Sequence, residues 1–381
     1  MRRSFHRQPA THLSRIDDSY VSLCSLRSLV ARRSSLVELP PIPHAMEKYS
    51  QFRDPGTGIA PFLPIPNPPA GILTPVHVLL FFLRVPFVLS LSLLYFGFLE
   101  FLPVGNTIKK CVLWVILTIP GVWWVDLQVD GVKRGKLAEK QNHLPHAGSI
   151  VAASFVSPLD PLYLAGIFTP VFTRSWAGEK KVEVITLFRA ICLAFEKPQL
   201  EPPKTAKLFT LKELTEKNPD SIICVFPETT TTNGRGVLRF SPSLLTASPK
   251  TKIYPVHVKY SPGDITTPVP GTALSWIWRL LSKPTHCMRV RIARHMYNTT
   301  LDERVGKTTA ADVDLGFDTN IFDSPHMRNG VGSVDEKDEK EGFEWLESVR
   351  EDFARLGRVK RTALGVREKS EFVKVWGKRK R

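Results

Sequence analysis

Two hydrophobic segments dominate the first third of the chain. The first, residues 78–99, is interrupted by Arg84 and Pro86, and the second, residues 111–125, is uncharged but contains a Pro-Gly pair. A full membrane span needs about 20 apolar residues, so the second segment is short for one, and Arg84 would have to reach the headgroups. We therefore predict a membrane-embedded hairpin over residues 76–128 that dips into one leaflet. The alternative is a pair of buried core helices.

Residues 129–300 have the alternating pattern of an α/β domain. Short apolar strands are predicted at residues 149–154, 182–188, 221–226, 252–260 and 288–294. Helical spacing of apolar residues occurs at 161–168, 205–217 and 276–281. The predicted fold class is α/β, with a mixed sheet flanked by helices and preceded by the hydrophobic hairpin.

The two ends of the chain differ from this central domain. Residues 1–75 are predicted to be an N-terminal extension and linker, largely disordered. Residues 1–45 hold seven Arg and no Lys, as a mitochondrial presequence does. We favour an unstructured tail or an upstream extension of the reading frame, because Met46 opens a different-looking segment. Residues 301–341 are predicted to be an acidic linker, and residues 342–381 a C-terminal helix with a basic tail.

The charge of the chain narrows its partners. A formal net charge of +16 points to nucleic acid, an anionic membrane or a phosphate-bearing small molecule. The basic residues are not interleaved with aromatics as in nucleic-acid-binding modules, so no nucleic acid is expected. Beside a membrane hairpin, the basic tail is expected to contact anionic lipid, at about 1 kcal/mol per residue that reaches the surface. The five scattered cysteines argue against a zinc site and fit a reducing compartment.

One polar stretch follows a strand directly. We call residues Phe226–Gly236 the Thr loop, because four consecutive threonines precede Asn-Gly-Arg there. Hydroxyls, backbone N–H groups and a guanidinium suit an anionic ligand, although Asn-Gly is also typical of a plain turn. Asp160 follows another strand. Because the ends of parallel strands converge at one sheet edge, we expect Asp160 and the Thr loop to lie together.

Three motifs resemble the glycerophospholipid acyltransferase superfamily, and within it the fungal lysophosphatidic acid acyltransferase-like branch. They are Phe226-Pro-Glu-Thr-Thr, Tyr254-Pro-Val-His-Val258 and Ser154-Phe-Val-Ser-Pro-Leu-Asp160. The resemblance implies a glycerolipid acyltransferase-like fold and transfer of an acyl chain from acyl-CoA to a lysophospholipid hydroxyl. It also implies that Asp160 is catalytic. The substrate-binding residues would be Glu228, Thr229, Thr230, Asn233, Gly234 and Arg235. It implies no metal and no bound cofactor, with acyl-CoA as co-substrate.

The first motif departs from the family at its general base. Phe155 stands where the family has His, and phenylalanine cannot accept a proton. Three interpretations are open: another histidine serves, with candidates at His257, His143 and His146; Asp160 or the substrate phosphate is the base; or the protein binds lipid without turnover. Two further departures occur in the Thr loop. Thr229 replaces the family glycine, which disfavours a left-handed backbone, and Thr231 replaces an Arg that is frequent there.

The leading hypothesis is an acyl-CoA-dependent lysophospholipid acyltransferase, with lysophosphatidic acid as the acceptor. Its partners would be lysophospholipid, acyl-CoA and a membrane with anionic lipids, with no obligate protein partner. Its place would be the cytosolic face of the endoplasmic reticulum or a lipid droplet, since a one-leaflet hairpin is compatible with a droplet monolayer. The competing hypothesis is a catalytically impaired, lipid-binding pseudoenzyme that recruits other proteins to the membrane.

Overall fold

The fold is seen in a computed structural model, which describes residues 49–66, 71–103, 105–132, 143–300 and 334–377. The described residues from position 51 onward cluster as one unit, which contains the sheet and its helices. The presequence-like region, most of the acidic linker and the last four basic residues lie outside the described residues.

A mixed sheet forms the centre of this unit. Its strand order is β1-β9-β8-β2-β6-β3-β4-β5, and β7 and β10 form a separate parallel pair. The strands are β1 (Trp124–Val129), β2 (Ile150–Ala153), β3 (Val171–Arg174), β4 (Val182–Ile185), β5 (Leu208–Phe209), β6 (Ile223–Val225), β7 (Gly236–Val237), β8 (Ile253–Ser261), β9 (Cys287–Ile292) and β10 (Lys360–Arg361). Strand β2 is parallel to both of its neighbours, β6 and β8, whereas β9 is antiparallel to β8. The predicted mixed sheet is confirmed.

Helices cover both faces of the sheet. They are α1 (Thr74–Leu94), α2 (Asn106–Thr118), α3 (Leu159–Phe168), α4 (Leu187–Leu193), α5 (Leu211–Lys217), α6 (Ala273–Ser282), α7 (Val334–Gly357) and α8 (Val366–Gly377). Buried residues of α2, α3, α4 and α6 share one core, and those of α5 and α7 share the other. Strand β2 serves both cores, with Val151 on one side and Ile150 on the other, as its period of two requires.

The C-terminal region belongs to the same unit. Helix α7 begins at Val334, inside the predicted acidic linker, and its Val349 and Phe353 are fully buried. Strand β10 then pairs with β7, which begins at the last residue of the Thr loop. The predicted helix over residues 205–217 is also shorter than expected. It starts only at Leu211, because Thr210 and Glu213 form a capping box, and the preceding residues form β5.

The first hydrophobic segment is an exposed apolar helix. Among the described residues, one helix, Gly71–Leu99, is long and apolar enough to cross a membrane. Phe81, Val85, Val88 and Leu91 follow helical spacing and pack on the α/β core. Most other large side chains of α1 are exposed, such as Leu79, Phe82 and Leu93. Helix α1 therefore lies along the protein with one stripe and presents the rest of its apolar surface outward.

The second hydrophobic segment differs from the prediction of an embedded arm. Leu113, Ile116 and Leu117 are buried in the core, and the Trp114 indole donates a hydrogen bond to Gly166 O of α3 (3.2 Å). The end of the segment becomes β1, which pairs with β9. The Pro-Gly pair ends α2 where Gly121 passes so close to Pro284 that a Cβ atom would lie 2.4 Å from its carbonyl oxygen. The alternative of a buried core helix is the better description here.

Arg84 has a different role from the predicted contact with headgroups. Its guanidinium donates to the carbonyl oxygens of Leu281 (3.2 Å) and Lys283, and to that of Pro284 (3.0 Å). A further, longer contact joins it to Pro120 O (3.4 Å). The carbonyls of Leu281, Lys283 and Pro284 lie at and after the end of α6, where backbone oxygens lack helical partners. Arg84 therefore fastens α1 to α6.

Replacing Arg84 with methionine is expected to loosen α1 from the domain. The loss should be about 1.5–3 kcal/mol, the range for hydrogen bonds to a charged group. Hydrogen–deuterium exchange in detergent should show faster exchange over α1, with Arg84→Lys between the two because it keeps the charge but not the planar fork. Unchanged hydrogen–deuterium exchange over α1 in Arg84→Met would contradict the role of Arg84 in joining α1 to α6.

Candidate functional site

The Asp160 motif and the Thr loop meet at one edge of the sheet, as predicted. Strands β2 and β6 are parallel neighbours, so the residues that follow them leave the sheet side by side. The Thr232 N–H donates to Phe155 O (3.2 Å), and the Phe155 N–H lies close enough to the Glu228 carboxyl to oppose the rise in its pKa. The two motifs are therefore joined through the backbone of Phe155.

Asp160 is fully buried in the first turn of α3, and its carboxyl group accepts three hydrogen bonds. Oδ2 accepts from the N–H groups of Val156 (2.6 Å) and Ser157 (2.9 Å), and Oδ1 from the Tyr260 hydroxyl (2.5 Å). Burial raises the pKa of Asp160 to about 7, against the opposing effect of the three donors. A carboxyl group that titrates near neutral pH can exchange a proton under physiological conditions.

Tyr260 is a site residue that sequence reasoning missed. It lies near the end of β8, beyond the Tyr-Pro-Val-His-Val motif, and it is buried. Burial and the neighbouring Asp160 raise its pKa well above the usual range, so it stays a neutral donor. The available signal was the alternation of β8, which puts Tyr254, Val256, Val258 and Tyr260 on one face.

Phe155 lies where the glycerophospholipid acyltransferase superfamily has histidine, and its side chain makes an apolar contact. Its ring stacks on Phe226 with 4.7 Å between centroids, and Phe226 in turn faces Phe172 at 6.4 Å. Phe155 is 2% exposed. The position is therefore part of an aromatic stack that connects the first strand end to the Thr loop.

The three candidate histidines do not reach Asp160. His257 lies on the face of β8 opposite Tyr260, packed so closely against Gly357 that a Cβ atom there would lie 2.4 Å from its Nε2. Burial, helped by nearby Lys259 and Arg291, lowers the pKa of His257 to about 3, which makes it a weak base. His146 precedes β2 and contacts Tyr254 (3.4 Å), so it lies at the other edge of the sheet, and His143 lies before it. The interpretation that another of these histidines serves as base is not supported.

Glu228 is buried, and its carboxyl group stabilises the Thr loop. Its carboxyl accepts a hydrogen bond from the backbone N–H group of Leu238 (3.3 Å), and the Phe155 N–H group acts on its pKa from nearby. Burial raises the pKa of Glu228 to about 8, although nearby Arg350 opposes the rise. Its contacts hold both sides of the loop together. It is 2% exposed, so it is not presented to a ligand on the surface.

Thr229 adopts the left-handed backbone conformation that its β-branched side chain disfavours. Its φ is 58°, and its hydroxyl is buried without a hydrogen-bond partner among the described residues. The loop therefore keeps this conformation without the family's glycine. Strain of this kind costs of order 1–3 kcal/mol and persists only where the surroundings hold it.

Thr229→Gly is expected to raise the free energy of unfolding by about 1 kcal/mol, because relief of strain exceeds the added entropy of the unfolded chain. Thr230→Gly is the matched control. Thr230 does not have a positive φ, so the same change there should destabilise the protein. Chemical denaturation measures the free energy of unfolding of both variants. A loss of stability in Thr229→Gly would contradict the inference that the Thr229 backbone is strained.

Asn233 is committed to the protein rather than to a ligand. Its Nδ2 donates to the carbonyls of Ala60 (2.8 Å) and Leu63 (2.9 Å), and its Oδ1 accepts from Arg235 N (3.1 Å). This corrects the prediction that the Asn233 side chain binds the acceptor substrate. The prediction of a largely disordered linker also needs correction for part of its length. Residues 51–66 are described, and their backbone carbonyls bind Asn233 of the Thr loop.

The remaining predicted residues differ in accessibility. Thr230 is buried, with its N–H donating to Glu228 O (2.7 Å). Gly234 has a positive φ of 71°, and a Cβ atom there would lie 3.3 Å from Val156, so the turn needs glycine. Arg235 is exposed. Of the predicted binding residues, Arg235 has the exposed side chain, whereas the Thr229 hydroxyl is buried with no hydrogen-bond partner among the described residues.

Within the residues that the structure describes, no group of three or more His, Cys, Asp or Glu side chains could hold a metal ion. The donors around Asp160 and the Thr loop are hydroxyls, backbone N–H groups and cations, which suit an anion.

Comparison with known proteins agrees with the motifs. No protein-family model matches the chain. A Schizosaccharomyces pombe protein with the provisional name lysophosphatidic acid:oleoyl-CoA acyltransferase is 28% identical over 255 residues, covering 65% of this chain and 84% of its own. Lysophosphatidic acid:oleoyl-CoA acyltransferase 1 of Saccharomyces cerevisiae is 29% identical over 259 residues, covering 62% and 80%. The crystal structure of the 1-acyl-sn-glycerophosphate acyltransferase PlsC from Thermotoga maritima aligns with 63% of this chain and 98% of its own at a TM-score of 0.34 and 17% identity, too loosely to carry an argument.

These relatives confirm the resemblance to the glycerophospholipid acyltransferase superfamily. Within that superfamily, the chain is related to the fungal lysophosphatidic acid acyltransferase-like branch.

Proposed function

We propose that this protein is an acyl-CoA-dependent O-acyltransferase that converts lysophosphatidic acid to phosphatidic acid. The observation that carries the proposal is the junction of Asp160 and the Thr loop at one sheet edge, through the backbone of Phe155. The names of both fungal relatives support the same substrates. The proposed catalytic residue is Asp160, and Tyr260 is a positioning residue.

In the proposed reaction, the acceptor hydroxyl attacks the thioester carbonyl carbon while Asp160 takes the hydroxyl proton. The tetrahedral intermediate then breaks its C–S bond, which leaves the new ester and CoA thiolate, and the thiolate takes up the proton. A base with a pKa of about 7 suits this transfer near neutral pH. The acceptor phosphate would bind at the Thr loop, with Arg235 able to form bidentate hydrogen bonds.

The exposed apolar surface supports action at a membrane. Helix α6 extends the surface of α1, because Trp278 packs on Phe81 with 4.8 Å between ring centroids. Leu274 of α6 is 85% exposed. Large exposed apolar patches mark membrane or protein interfaces. Since α1 lies along the protein, we propose insertion into one leaflet of the endoplasmic reticulum or into a droplet monolayer, on the cytosolic face.

A second candidate function is lipid binding without turnover. Two observations favour it: Phe155 is locked in an aromatic stack, and Asp160 is inaccessible to solvent. Turnover requires displacement of the residues that bury Asp160. Such a protein would hold lysophospholipid or acyl-CoA and recruit partners to the membrane.

The test is acyl transfer by the purified full chain in vesicles, with labelled oleoyl-CoA and three acceptors: lysophosphatidic acid, lysophosphatidylcholine and monoacylglycerol. Labelled phosphatidic acid, with one CoA thiol released per ester formed, is expected. Bound lipid with no ester would favour the second candidate. Phe155→His then separates the two further, because a sharp rise in turnover would indicate a dormant acyltransferase scaffold.

A further inference from the structure

The C-terminal helix α8 is fixed against the Thr loop by several contacts. Strand β10 pairs with β7, and the Thr362 N–H donates to Val237 O (3.0 Å). The Ala363 N–H donates to the buried Asp54 carboxyl (2.7 Å). The Phe372 ring packs at 5.3 Å from Phe52 and at 5.9 Å from Phe62. The position of α8 over the loop is therefore set by the fold.

This placement buries a lysine side chain in the loop. Lys369 is 1% exposed, and its Nζ donates to Thr231 O (2.5 Å) and Thr231 Oγ1 (3.0 Å). The Thr231 hydroxyl in turn donates to Thr267 O (2.6 Å). Lysine is rarely this buried unless it is paired with an anion. Here two of its three donors meet neutral oxygens.

The carboxyl group that acts electrostatically on Lys369 does not neutralise it fully. That group is Glu228, and its pKa of about 8 keeps it largely protonated at neutral pH. Burial lowers the pKa of Lys369 to about 7, and Glu228 opposes this only in part. An anion that entered beside Lys369 would favour its charged form.

We propose that Lys369 supplies, from the C-terminal helix, the cation that binds the acceptor phosphate at the Thr loop. The inference rests on the proposed function, since the phosphate is that of lysophosphatidic acid. It makes residues 358–377 part of the substrate site.

The test measures binding rather than turnover, so that it remains informative if acyl transfer fails. The full chain in detergent is titrated calorimetrically with short-chain lysophosphatidic acid and with monoacylglycerol of the same chain length. Lys369→Met is compared with Lys212→Met, which removes an exposed lysine from α5. Lys369→Arg keeps the charge, and Thr231→Arg/Lys369→Met moves it to the residue that the ammonium contacts. Thermal unfolding checks that each variant is folded.

The parent should prefer lysophosphatidic acid, and Lys369→Met should lower this preference at least tenfold with monoacylglycerol binding unchanged. Lys212→Met and Lys369→Arg should keep the preference, and the charge-moving variant should restore it. An unchanged preference in Lys369→Met, or an equal loss of both ligands, would overturn the inference. If Lys369→Met does not fold, loss of the preference in Lys369→Arg or in the charge-moving variant overturns it. If binding follows the predicted pattern but no acyl transfer occurs, the proposed function is contradicted and the inference about Lys369 stands.

Discussion

Replacing Asp160 with asparagine is expected to lower acyl transfer to lysophosphatidic acid by about 10²–10⁴-fold, the usual contribution of a general base. Asparagine has nearly the same shape and can still accept from the Val156 and Ser157 N–H groups, which preserves the start of α3. It cannot take a proton. The measurement is initial rate at saturating oleoyl-CoA, with thermal unfolding to show that the variant is folded.

Asp220→Asn is the matched control for this change. Asp220 is an exposed aspartate that precedes β6, at the opposite edge of the sheet, so its replacement should leave the rate unchanged. If a folded Asp160→Asn keeps full activity, Asp160 is not the general base. The proton would then pass to the substrate phosphate or to another acceptor.

The triple variant Leu79→Glu/Phe82→Glu/Leu93→Glu is expected to abolish membrane binding. These side chains of α1 are 69%, 69% and 71% exposed. Burial of each large apolar side chain contributes about 1.5–3 kcal/mol, so losing three should weaken partitioning by about 10³-fold or more. The measurement is co-flotation with vesicles of phosphatidylcholine and phosphatidylserine.

The control for the triple variant is an apolar residue on the other side of the sheet. Phe343 of α7 is 62% exposed, and α7 packs on the core opposite α1. Phe343→Glu should float with vesicles as the parent does. Equal loss in both proteins would mean that charge, rather than the α1 surface, decides partitioning.

Strands β2 and β6 and the convergence of their ends were predictable from sequence because both depend on local patterns. Apolar runs near 150 and 223 mark β2 and β6, and the rule for parallel strand ends then brings Asp160 beside the Thr loop. The partners of that loop were not predictable. Asn233 binds Ala60 and Leu63, and such contacts between distant segments leave no local signal.

The hydrophobic segments illustrate a different limit. An apolar run looks the same whether its partner is lipid or protein, so composition did not distinguish α1 from α2. Helix α2 packs on α3 where Leu113 and Trp114 approach Gly166, and its surroundings are apolar side chains from elsewhere in the fold. The prediction was thus correct about hydrophobicity and wrong about the partner of the second segment.

The most direct test of Asp160 as the general base is the pH dependence of kcat/KM in the parent and in Tyr260→Phe. A base acts in its ionised form, so the rate should rise as pH increases through about 7, the pKa of Asp160. The Tyr260 hydrogen bond stabilises the carboxylate and lowers that pKa, so Tyr260→Phe should move the rise to higher pH. A folded, active variant whose profile coincides with that of the parent would contradict Asp160 as the base.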